Sequence, residues 1–278
     1  MAREHYALIG EDIARSPSPA MHNAAFAELG ISADYVLRPT SAQQLDEVFA
    51  ELAAGRWAGI NVTRPLKRLV SDRVAMDANA ARAHAVNTLV RESGGWRGYL
   101  TDVDGVTLPL RERNVNGGAA LILGAGGAAR AAAVALESLE LTVHVAARDV
   151  AKAQALLDEL GLARSGRAFA SRDVRPITQL FFELAVVINA SPVGTQGDRW
   201  ELSWQAANRQ LVAFDMVNTV RHTPFLREAA AAGLRVVGGW EMLVVQGAQS
   251  SSLWTGQEAP IELMKKAAQR VLNSQATK

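Results

Sequence analysis

Apolar and polar positions in the first hundred or so residues switch between two periods. YALIG (6–10), ADYVLRPT (33–40) and WAGINVT (57–63) are apolar runs of strand length, whereas AMHNAAFAELG (20–30) and AQQLDEVFAELAAG (42–55) repeat their apolar residues at helical spacing. Strand and helix taking turns predict an α/β layer with mostly parallel strands. RESGGWRGYLTD (91–102) reads as a loop, and beyond it the pattern starts afresh. AALILG (119–124), HVAAR (144–148), LAVVINASP (184–192) and LVAFDMV (211–217) form a second βαβ series. An alanine-rich helix (224–233) then leads to LRVVGG, and EMLVVQGAQSSSLWTG opens a helical tail. The restart sets a domain boundary near residue 103, and 278 residues suffice for two domains, each with its own core.

Composition narrows the classes of function. Hydrophobic residues make up 49% and charged ones 21%, a globular balance in which long disorder is not expected. A net charge of +1 argues against a general electrostatic grip on nucleic acid or membrane. No apolar run reaches the length of a membrane span, and MAREHYALIG lacks the basic-then-apolar order of a signal peptide, so a cytoplasmic protein is expected. The chain has no cysteine, which excludes disulfides, thiolate catalysis and thiolate metal sites. His5, His22, His84, His144 and His222 are too scattered for ligand spacing, and no metal site is expected.

LILGAGGAAR (121–130) follows an apolar strand and opens an alanine-rich helix, with Gly124, Gly126 and Ala129 at G-x-G-x-x-A spacing. In that setting the first glycine makes a tight turn, the second lets backbone approach a pyrophosphate, and the small third residue lets helix pack on strand. The helix N-terminus adds N–H donors for the phosphates. At the end of the next strand, where NAD enzymes usually place an acid, stand Ala147 and Arg148. An arginine there forks onto a 2′-phosphate or stacks on adenine, which favours NADP over NAD. Asp149 pulls the other way, either repelling that phosphate or capping the helix that follows.

GINVTRPLK (59–67) poses a separate question. Pro65 suits a first helical turn, which puts Lys67 near the positive end of a helix dipole that disfavours its charge by about 0.3–1 kcal/mol. A solvated surface lysine and a buried catalytic one both fit that placement.

The same nonapeptide resembles the G-x-N-V-T-x-P-x-K signature of the shikimate dehydrogenase family, and other family segments follow in order. SPSPAMHNAAF (16–26), AVNTL (85–89), TDVDG (101–105), GAGGAAR, and MLVVQGA with LWTG (242–256) are each similar to a family motif, so the resemblance covers nearly the whole chain. It implies a substrate domain of residues 1–103, a Rossmann domain of residues 104–239, and C-terminal helices of residues 240–278 returning to the substrate domain. It also implies hydride transfer between NADP, with NAD as the alternative, and shikimate/3-dehydroshikimate or a close cyclic polyol acid. Lys67 and Asp102 would be the catalytic pair; Ser16, Ser18, Thr63, Asn87 and Gln246 would bind the substrate. Gly124, Gly126, Gly127, Ala128, Arg148, Asn189, Met216 and Gly239 would bind the cofactor. The expected state is a monomer or homodimer.

Some positions depart from the family pattern. Leu100 stands for an asparagine beside Asp102, Asn218 for a tyrosine, Val220 for a proline, Thr195 for a methionine and His84 for a glycine, and VAARD lacks the family's N-R-T. Because these changes surround substrate and cofactor while Lys67 and Asp102 remain, the sequence suggests a paralogue acting on shikimate poorly or on a relative such as quinate or an aminated analogue. The alternative from another class is a non-catalytic protein sensing NADP or the polyol acid.

Overall fold

The computed structural model describes residues 3–276. Its chain divides into two compact units, Met1–Asp104 with Leu243–Lys278, and Gly105–Met242.

The first unit begins β1 (Glu4–Gly10), α1 (Ser18–Glu28), β2 (Ala33–Pro39), α2 (Leu45–Ala53), β3 (Gly59–Val62) and α3 (Lys67–Ser71). It continues β4 (Ala75–Met76), α4 (Ala78–Ala83), β5 (Thr88–Glu92) and β6 (Gly95–Tyr99), and α5 (Asp102–Glu112) crosses into the second unit. The strands form a sheet in the order β2-β1-β3-β5-β6-β4. β3 and the part of β1 from Tyr6 to Gly10 are buried on both faces, which is why they read as continuous apolar runs. α2 buries Leu45, Val48 and Leu52 at helical spacing, each worth about 1.5–3 kcal/mol of burial. Aspartate at Val48, which is 0% exposed, would leave a carboxylate there without a partner.

Two expectations change here. β5 runs antiparallel to both β3 and β6, so the sheet is mixed, and the segment read as a loop is a hairpin turning at Ser93 and Gly94. Only Gly98 of β6 is fully buried, so the period-2 signal there is too weak to read. Pro65 lies in the turn before α3, and Lys67 is that helix's first residue.

The second unit holds β7 (Ala119–Leu123), α6 (Gly127–Ser138), β8 (Thr142–Ala147), α7 (Val150–Glu159), β9 (Ala168–Ala170) and α8 (Val174–Leu180). After them come β10 (Leu184–Asn189), β11 (Val212–Asp215), α9 (Pro224–Ala231) and β12 (Arg235–Val237). All strand pairs are parallel and the order is β12-β11-β10-β7-β8-β9, the doubly wound arrangement of a dinucleotide-binding domain. Every residue of α6 from Ala129 to Leu136 is buried. Its alanines let the helix lie close to the sheet, and Arg130 among them is paired with Glu159. Trp204 packs edge-on against Phe181 and Phe225, with centroids 5.6 and 5.0 Å away.

α10 (Gly239–Thr255) starts in the second unit and ends in the first, and α11 (Ile261–Ala276) packs on α1. Among the described residues, no helix is long and apolar enough to cross a membrane.

Candidate active site

Lys67 heads α3 and Asp102 heads α5, and the ammonium donates a hydrogen bond to the Asp102 carboxylate. Both side chains are largely withdrawn from solvent, 14% and 6% exposed. The carboxylate is what reconciles a lysine with the start of a helix, because its charge opposes the unfavourable dipole end.

Asn87, 2% exposed, sits beside the pair. Its Nδ2 lies 3.2 Å from Asp102 Oδ1, 3.0 Å from Gln246 Oε1 and 2.9 Å from Thr101 Oγ1, while its Oδ1 accepts the Thr101 N–H at 2.7 Å. Residues far apart in sequence thus converge on one carboxylate within the first unit. Ser16 and Ser18 sit at the entry to α1, where Ser16 Oγ donates to Ser18 Oγ at 3.0 Å. Thr63, half-buried, follows β3 and accepts the Leu66 N–H on its carbonyl, so the turn that carries it also carries Lys67.

Sequence reasoning missed the residues behind this group. Asn61 Nδ2 donates to Asn87 O at 3.2 Å and to the Thr88 and Ser250 hydroxyls at 3.0 Å each, and Tyr35 OH donates to Asn61 Oδ1 at 2.8 Å. The available signal was an asparagine inside an otherwise apolar buried strand, a residue that needs buried partners. Leu100 leaves the substrate argument: at 1% exposure it belongs to the core and presents no surface to a ligand.

In the second unit the turn after β7 fits a dinucleotide pyrophosphate. Gly124 has φ +127°, and a Cβ there would come within 2.8 Å of the Ala190 carbonyl oxygen, so only glycine suits the position. Around Gly126 a Cβ would meet nothing within 4 Å, an open approach at the N-cap of α6, whose first residues are Gly127 and Ala128. Arg148 is exposed just past β8. Asp149 caps α7, its Oδ1 accepting the Ala151 N–H at 3.0 Å, so its carboxylate has a local use.

Asn189 differs from the expected direct contact. Its side chain is 0% exposed, donates to Val193 O and Asp215 Oδ1, and accepts from Ser191 and Trp200. All its capacity is used in holding the loop after β10. Asp215 accepts in addition from the Val217 N–H and the Thr223 hydroxyl, and burial pushes its carboxyl up to about 6 despite those hydrogen bonds. Met216 is half-buried behind it, and Gly239 packs so closely on this segment that a Cβ would lie 2.3 Å from Val217 O.

The shikimate dehydrogenase substrate binding domain matches residues 8–89, and the shikimate 5′-dehydrogenase C-terminal domain matches residues 239–269. The shikimate dehydrogenase (NADP(+)) of Anaeromyxobacter dehalogenans is 40% identical over 264 residues, 94% of each chain. The chain belongs to the shikimate dehydrogenase family. The shikimate dehydrogenase (NADP(+)) of Natronomonas pharaonis is 37% identical over 94% of this chain and 97% of its own. Among solved structures of similar proteins, the Thermus thermophilus shikimate 5-dehydrogenase in complex with NADP(H) and shikimate has a TM-score of 0.85 at 33% identity, covering 97% of this chain and 100% of its own. The quinate dehydrogenase of Corynebacterium glutamicum in complex with NAD also reaches 0.85, at 26% identity, covering 96% and 99%.

Proposed function

We propose that this protein interconverts shikimate and 3-dehydroshikimate with NADP. The observation that carries the reading is the Lys67–Asp102 pair, a cation and a carboxylate withdrawn from water and joined to Asn87 and Gln246. Family relatives named shikimate dehydrogenase (NADP(+)), at 37–40% identity, support it.

A bound nicotinamide dinucleotide supplies the hydride acceptor or donor. As the neutral amine, Lys67 takes the proton of the substrate hydroxyl during oxidation and becomes the ammonium, which returns that proton to the developing alkoxide during reduction. Asp102 keeps Lys67 in place and accepts a hydrogen bond from the same hydroxyl. Ser16 and Ser18 bind the carboxylate as neutral donors, and Thr63, Asn87 and Gln246 orient the ring. Gly124, Gly126, Gly127 and Ala128 would hold the pyrophosphate at the start of α6, and Arg148 would meet the 2′-phosphate. Met216 and Gly239 would also lie against the cofactor, and Asn189 holds the loop after β10.

A second reading has its own observation. Asn218, half-buried in the loop after β11, stands where the family has a tyrosine, and a quinate dehydrogenase is among the structural neighbours. A shorter side chain leaves room for a differently substituted ring. Steady-state oxidation of shikimate and quinate with NADP⁺ and NAD⁺ decides between them. The first reading requires a kcat/KM for shikimate with NADP⁺ above about 10⁵ M⁻¹s⁻¹, within the range of adapted enzymes. Preference for quinate, reversed by Asn218→Tyr, selects the second, and binding without turnover of either acid defeats both.

A further inference from the structure

The Tyr35 hydroxyl is buried, 1% of the residue being exposed, and has no part in the mechanism above. Its surroundings leave it little freedom. The Asn23 side chain brackets its main chain, accepting the Tyr35 N–H at 2.8 Å and donating to its carbonyl at 3.0 Å. The His22 ring lies flat on the phenol, centroids 4.3 Å apart at 10°, and burial lowers His22 to about 3, so that platform stays uncharged.

The phenol donates to Asn61 Oδ1 at 2.8 Å, and the Ser18 hydroxyl is its other side-chain partner. The bond to Asn61 fixes which way that amide faces. With Oδ1 toward Tyr35, Nδ2 must face Asn87 O, Thr88 Oγ1 and Ser250 Oγ, the three acceptors that it reaches. Reversed, the amide would set oxygen against the Asn87 carbonyl oxygen. Thr88 Oγ1 lies 3.3 Å from both Asn87 Oδ1 and Thr101 Oγ1, and Ser250 Oγ lies 3.2 Å from Thr101 Oγ1. Asn87 Nδ2 then reaches Asp102 Oδ1.

We propose that Tyr35 and Asn61 are positioning residues for the Lys67–Asp102 pair: the phenol sets the Asn61 amide, and the amide holds the Asn87 main chain and the Thr88 and Ser250 hydroxyls against which Asn87 is aimed at Asp102. The inference rests on the oxidoreductase reading. It differs from a role in stability alone, because it requires Tyr35 to act through Asn87.

Tyr35→Phe keeps the ring and its stacking and removes only the hydroxyl. Well below its melting temperature, this variant should lose about tenfold in kcat with shikimate, the scale of one buried hydrogen-bond group left without its partner. The KM for NADP should stay within about twofold, since one site is touched and the other is not. In an Asn87→Ala background the same substitution should change kcat by less than about twofold, because the group it acts through is gone. Thr88→Val, an alternative break in the chain with little change of shape, should repeat both results and serves if Tyr35→Phe does not fold. A wild-type kcat in Tyr35→Phe, or an equal loss with and without Asn87, overturns the proposal while wild-type turnover leaves the functional reading standing. A wild type inactive on shikimate and quinate alike overturns that reading, and this inference with it.

Discussion

Asp102 and Asp215 are both buried, each beside an asparagine amide and a threonine, yet they are solvated by the protein in different ways. Asp102 has Lys67 on one oxygen and Asn87 on the other. Asp215 has neutral donors only: the Asn189 amide at 2.9 Å, the Val217 N–H at 3.0 Å and the Thr223 hydroxyl at 2.5 Å. Without a cation, desolvation outweighs three hydrogen bonds and raises Asp215 to about 6. Asp215 thus fastens structure, tying the loops after β10 and β11 to Thr223, which itself caps α9 through the Leu226 N–H. On the proposed reading, the buried carboxylate with a cation serves proton transfer, whereas the one with neutral donors holds a loop.

The largest test of the contrast removes the cation. Lys67→Ala leaves Asp102 in the situation of Asp215 and should lower kcat by about 100-fold or more, with a smaller change in KM. Near wild-type kcat in this variant, measured on the better of shikimate and quinate, would place proton transfer elsewhere.

Asp215 supplies the converse through pH. Its folded-state value of about 6 lies above the ordinary 3.8, so the folded state binds the proton more tightly. Its contribution to stability is therefore complete below about pH 4 and is lost as pH rises through about 6, a change on the order of 3 kcal/mol. Asp215→Asn keeps the shape and removes the titration. The stability of the variant relative to wild type should rise between pH 4 and 7, read as urea midpoints of both proteins across that range. A difference that stays flat with pH would show that Asp215 is charged in the fold throughout.

On the nucleotide side, Arg148 is exposed and has no buried partner to lose, so its deletion should report on the ligand alone. Arg148→Ala is expected to weaken NADP by about 10- to 100-fold in Kd and leave NAD nearly unchanged, by calorimetry with each. Equal losses for the two would assign Arg148 to adenine stacking.

How far the sequence carried these sites follows from how local their signals are. The restart at AALILG and the turn at Gly124 and Gly126 depend on neighbours within a few residues, and they were legible. The β5–β6 hairpin was not, because GWRGY offers two glycines and an arginine in place of an alternating apolar face. Motifs led to Lys67 and Asp102, but nothing local could reveal that Asn61 meets Ser250 across 189 positions, or that Asn189 gives its amide to Val193 and, across 26 positions, to Asp215. Leu100 misled because a polar-to-apolar change next to Asp102 looks like a change in the site, whereas the side chain points into the core.

The smallest expected effect belongs to the strand entry that delivers Asn87. His84 ends α4 with φ 48° and ψ 51°, a left-handed conformation that costs a residue with a Cβ about 1–2 kcal/mol and glycine almost nothing. The family pattern that the sequence resembles has glycine here, a residue that would not carry this cost. Part is offset by the contact of His84 Nε2 with Asp72 Oδ1 at 2.9 Å, an ion pair when the imidazole is protonated, but both side chains are well exposed, 43% and 59%, where such pairs contribute about 0–1 kcal/mol. Glycine also loses more backbone entropy on folding, by about 0.5–1 kcal/mol. These contributions nearly cancel at low salt. High salt screens the pair and leaves the strain, so His84→Gly should be neutral within about 0.5 kcal/mol at low ionic strength and stabilising by up to about 1 kcal/mol in 1 M salt, a rise of about 2–4 °C in Tm. A variant less stable than wild type at both ionic strengths would mean that the His84 side chain supports the turn into β5 by contacts other than the ion pair.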